Sequence, residues 1–63
     1  MTREQEQKVR GMRQRLLVLR AEARKLAEQL ESTQGGSDLS GAVALTTAAD
    51  RAGDAAAELA DLL

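Results

Sequence analysis

Two apolar stripes of seven-residue period, separated by Gly35-Gly36, restrict this chain more than any other feature. The first comprises Val9, Met12, Leu16, Leu19, Ala23, Leu26 and Leu30; the second comprises Ala42, Leu45, Ala49, Ala52, Ala56, Leu59 and Leu63. Steps of three and four alternate in both, which lines apolar side chains along one seam of an α-helix. A single helix cannot bury its own seam. The pattern therefore predicts an all-α fold in which the chain doubles back as an antiparallel helical hairpin, a helix–loop–helix. Such hairpins can assemble into a four-helix bundle or a larger helical assembly.

Local signals set the boundaries. Thr2-Arg3-Glu4-Gln5 reads as a capping box, with Thr2 at the N-cap and Gln5 reaching back to it. Glu4 and Glu6 then fall in the first turn, where negative charge suits the helix dipole. Ser32-Thr33-Gln34-Gly35-Gly36-Ser37-Asp38 has loop composition: Gly35 can take the left-handed conformation that ends a helix, and Ser37 or Asp38 can cap the next one. The expected organisation is one domain, with a helix over about 3–32, a loop over about 33–38 and a helix over about 39–62. Gly11, Gly41 and Gly53 are the weak points of the helices, and no proline interrupts either one.

At about 1.5 Å per residue the helices should be roughly 45 and 37 Å long. Pairing outward from the loop brings Leu26 near Leu45, Ala23 near Ala49, Leu16 near Ala52 or Ala56, and Val9 near Leu63. Leucines of the first helix then face alanines of the second, and the first projects by one to two turns at the Met1 end. The second helix is apolar well beyond its seam: Ala48, Ala55 and Leu62 flank one side, and Leu39, Thr46, Gly53 and Ala60 the other. An arc that wide can touch two neighbours. Leu17 and Val18 lie off the first seam, as ordinary surface apolars or as a second contact.

Composition limits how such a small unit is held together. A chain of 63 residues commonly needs a disulfide, a metal, a partner or very regular packing. With no Cys and no His, disulfides and the usual zinc sites are excluded, so oligomerisation or close helix packing remains. There are no aromatic residues, and much of the 43% hydrophobic content is alanine, which favours helix but buries little area. The net charge of −1 conceals an asymmetry. Residues 1–34 carry eight basic and five acidic side chains, a net +3, and residues 35–63 carry one and five, a net −4. Opposite charge favours pairing of the halves. The longest apolar run, Leu16-Leu17-Val18-Leu19, is far shorter than a membrane span or a signal-peptide core, so a cytoplasmic protein without membrane association is expected.

Little in the sequence points to chemistry. There is no His, Cys or Tyr to act as an acid, base or nucleophile near neutral pH, and Ser32, Ser37 and Ser40 are better explained as loop or cap residues. Gly35-Gly36-Ser37 is too short for a phosphate-binding loop and no Walker lysine follows it. Asp50, Asp54, Glu58 and Asp61 share one helical face but spread over several turns, where a metal ion needs converging ligands. We therefore expect no enzyme activity, no cofactor and no metal. The basic residues of the first helix bear on partners. Arg10, Arg13, Arg20, Arg24 and Lys25 could contact nucleic-acid phosphates, or could pair with the acidic second helix. The absence of aromatic side chains removes the stacking that single-stranded RNA recognition ordinarily uses.

The helix–loop–helix plan and the chain length resemble the Rop family of plasmid copy-number regulators. The likeness implies an antiparallel dimer of hairpins whose first helices bind paired RNA loops. It covers the layout of the whole chain but few residues: where that family's RNA-binding face carries a phenylalanine, this chain has Gln14 and Arg15. The layout is also similar to that of small hairpin chaperones of secretion systems and, for the first helix alone, to the docking helices of modular synthases.

The expected function is a protein–protein interaction or assembly module acting through Val9, Met12, Leu16, Leu19, Leu26, Leu30, Leu45, Ala49, Ala52, Ala56 and Leu59. Its partner would be a second copy, in a dimer, or a helix of another protein. A small nucleic-acid-binding regulator and a helical chaperone of a client protein are the alternatives.

Overall fold

The computed structural model describes residues 1–34 and 40–63. Two helices, α1 (Arg3–Gln34) and α2 (Ser40–Ala60), pack against each other as a helical hairpin. The Gly35, Ser37 and Asp38 capping assignments and the place of Leu39 lie outside the described residues. The Cα envelope measures 50 × 13 × 10 Å. Its long dimension is that of α1, whose 32 residues span about 48 Å.

The start of α1 is built by the capping box. The Thr2 amide donates to Gln5 Oε1 at 2.9 Å, and the Gln5 amide donates to Thr2 Oγ1 at 3.2 Å. Two amide groups that the helix would leave unpaired are thereby satisfied. Helix α1 continues to Gln34, two residues beyond the position expected from Ser32. At the other end of the chain the last turn tightens: the Leu62 amide donates to the Leu59 carbonyl and the Leu63 amide to the Ala60 carbonyl, each at 3.1 Å. Such three-residue bonds commonly close a helix end.

Three contacts fix the register of the hairpin. Leu30 Cδ1 lies 3.6 Å from where a Cβ on Gly41 would stand, Arg24 pairs with Asp50, and the Arg20 side chain lies over Gly53. The residue numbers of these pairs total 71, 74 and 73, as antiparallel helices require. The same register sets Leu63 level with about residue 10, so about two turns of α1 project past Leu63.

The buried core is alanine. Ala23 and Ala27 of α1 and Ala42, Ala49, Ala52 and Ala56 of α2 are buried, and no larger described side chain is fully buried. Val9, Leu16, Leu17, Leu30, Leu45 and Leu59 surround these alanines in half-buried positions. Small side chains let two helix axes approach closely, but each removes little apolar area from water. No polar or charged residue is buried among the described residues.

Candidate helix-packing surfaces

The second stripe and the first behave differently. On α2, Ala42, Ala49, Ala52 and Ala56 are buried and Leu45 and Leu59 half-buried, while Leu63, past the helix, is exposed. On α1 the stripe divides. Val9, Leu16, Ala23 and Leu30 face α2, but the residues expected between them do not: Met12, Leu19 and Leu26 are 51%, 54% and 47% exposed. The places of Leu19 and Leu26 in the intramolecular seam are taken by the next residues along, half-buried Arg20 and buried Ala27.

The division has a steric cause. The central face of α2 offers only alanine, and alanine against alanine brings the helices too close to admit a leucine between them. Helix α1 is turned so that Ala27 fills the gap, and Leu26, about 100° away on the helix, is carried to the flank. Arg20 fits the seam because Gly53 stands opposite. A Cβ there would lie 3.2 Å from Arg20 Cδ and 3.3 Å from Arg20 Nη1, so a larger residue would have to displace the arginine.

The two broad sides of the hairpin consequently differ. Arg24 follows the buried Ala23, Asp50 follows the buried Ala49, and the two side chains meet across the helices at 3.5 Å. Residues one step after the core alanines thus share a side. Residues one step before them share the opposite side. Leu26 on α1 and Ala48 and Ala55 on α2 precede core alanines, as do the charged Glu22 and Arg51; Leu19 precedes the seam residue Arg20, and Met12 and Leu62 continue the two rows at seven-residue intervals. The register sets Met12 level with Leu62, Leu19 with Ala55, and Leu26 with Ala48, every pair totalling 74. One side of the hairpin is therefore polar, with a shallow depression lined by Arg20, Arg24, Asp50, Gly53 and Asp54. The other carries the two apolar rows, with Arg15, Glu22, Arg51 and Glu58 beside their members.

The basic residues considered for nucleic acid differ in their surroundings. Arg20 is half-buried over Gly53, and Arg24 is held beside Asp50, whereas Arg10, Arg13 and Lys25 are exposed. Among the described residues no group of three or more acidic, His or Cys side chains converges as a metal site. No described helix is long and apolar enough to cross a membrane.

Fold and surface together define the class: an antiparallel α-hairpin with an alanine seam and one apolar broad side. No family model matches the chain, and no curated protein or solved structure is significantly similar to it.

Proposed function

We propose that the chain is a non-enzymatic protein–protein interaction module that assembles by packing its helices against helices of another chain. The observation that carries this reading is the inversion of size between core and surface. Alanines occupy the buried seam, while Met12, Leu19 and Leu26 stay about half exposed. A hairpin that spends its small residues internally keeps its large ones for a further contact. The capping box and the regular seam give each helix a defined register, so that surface is presented in a fixed geometry. A nucleic-acid regulator draws less support, because two of its five candidate cations, Arg20 and Arg24, are engaged with α2.

Sedimentation equilibrium and thermal melts over a hundredfold concentration range test the reading. The expected result is a particle larger than one chain and a melting temperature that rises with concentration. A fully helical particle of one chain, melting at the same temperature throughout, would overturn it.

A further inference from the structure

We propose that the apolar side bearing Met12, Leu19, Leu26, Ala48, Ala55 and Leu62 is covered by a second copy of this hairpin, with α1 of each copy lying antiparallel on α2 of the other. The inference rests on the assembly reading and specifies its partner and geometry.

Three observations support a second copy in this orientation. The first is size. The side is about 30 Å long over the paired region and about 20 Å wide, or about 600 Å² per copy. Two copies would together bury about 1,200 Å², the lower limit of specific interfaces. The second is spacing. Both rows repeat every seven residues and run level with each other. A two-fold axis along the length of the hairpin therefore sets Leu19 of one copy against Ala55 of the other, and Leu26 against Ala48. Large meets small in these two layers.

The third is charge. Within α1, eight basic and five acidic residues give +3; within α2, Arg51 against Asp50, Asp54 and Glu58 gives −2. Laying α1 on α2 places opposite fields together. The same axis brings Arg15 of one copy level with Glu58 of the other, and Glu22 level with Arg51. Turning the second copy end over end would instead lay basic α1 on basic α1 and acidic α2 on acidic α2.

The chain has no cysteine, so single cysteines can be placed at will. Chains carrying Leu26→Cys and chains carrying Ala48→Cys are mixed, refolded together and oxidised, and Leu19→Cys is oxidised alone. A disulfide needs Cα atoms within about 7 Å. The proposal expects a mixed Leu26→Cys/Ala48→Cys dimer as the main product. It expects no cross-link from Leu19→Cys, whose two copies would lie diagonally across the bundle. In parallel, Leu19→Glu should reduce the sedimenting mass from two chains to one, while Val43→Glu, on an outward position, should leave it at two.

A two-chain particle in which Leu19→Cys cross-links to itself would overturn this geometry and leave the assembly reading standing. So would a particle of three or more chains, or equal dissociation by Val43→Glu. A one-chain particle at every concentration would overturn both.

Discussion

Helices α1 and α2 carry the same seven-residue stripe, yet only α2 uses the whole of it, as far as Leu59, toward its partner within the chain. Along α2 every residue from Ala42 to Leu59 in the stripe is buried or half-buried. Along α1 alternate members turn away. The difference lies in side-chain size. An alanine stripe has one way to be buried, flat against a neighbour. A row of leucines beside a row containing Ala23 and Ala27 has two, and the close approach of the helices selects the alanines. A helix with two adjacent rows can serve two neighbours, one from its own chain and one from outside.

The sharpest way to break that distinction is to disturb the alanine seam itself. Ala49 is fully inaccessible, 0% exposed, and faces α1 at the middle of α2. Ala49→Asp would bury a carboxylate in the alanine seam, where the neighbouring Arg24 is already engaged with Asp50. An uncompensated buried charge costs about 3–5 kcal/mol, a large share of the stability of so small a unit. Far-UV circular dichroism of this variant should show most of the helical signal lost at every concentration. A variant that stayed fully helical would show that the seam is not the close contact described.

Next in size comes a paired comparison. Leu30 is half-buried against Gly41, and Leu26 is 47% exposed on the apolar side. Truncating a buried leucine to alanine costs about 2–5 kcal/mol, and less where burial is partial. Leu30→Ala should therefore lower stability by about 2 kcal/mol, independent of concentration. Leu26→Ala should match it only where chains associate, its cost falling toward zero on dilution. Concentration-resolved denaturant melts of both variants check this. Equal behaviour of the two would erase the distinction between an internal row and an external one.

These contrasts also show how much could be read before the structure. The hairpin was legible, because alternating steps of three and four on either side of a glycine pair admit few other folds. The capping box was legible too, since Thr2 and Gln5 are complementary over three residues. The row of α1 that faces inward was not. Starting from Val9, the steps 12, 16, 19, 23, 26, 30 and the steps 13, 16, 20, 23, 27, 30 satisfy the same spacing. Hydrophobicity favours the first through Met12, Leu19 and Leu26. Packing distance, set by alanines on the other helix, favours the second. The one local cue was Ala27, which lies four residues from Ala23 and three from Leu30. The position of Arg20 had a cue of another kind: Gly53, a helix-weakening residue, is what makes room for it.

The smallest expected effect concerns the polar side. Arg24 and Asp50 meet across the helices, but their side chains are 55% and 63% exposed. Pairs of this kind contribute about 0.2–1 kcal/mol and weaken as salt rises. A double-mutant cycle with Arg24→Ala and Asp50→Asn should therefore give a coupling of a few tenths of a kcal/mol at low salt that vanishes near molar salt. A coupling above about 2 kcal/mol would mean that water is excluded from this side, since only a desolvated pair reaches that size. It would then be the polar side, and not the rows of Leu19 and Ala55, that a partner covers.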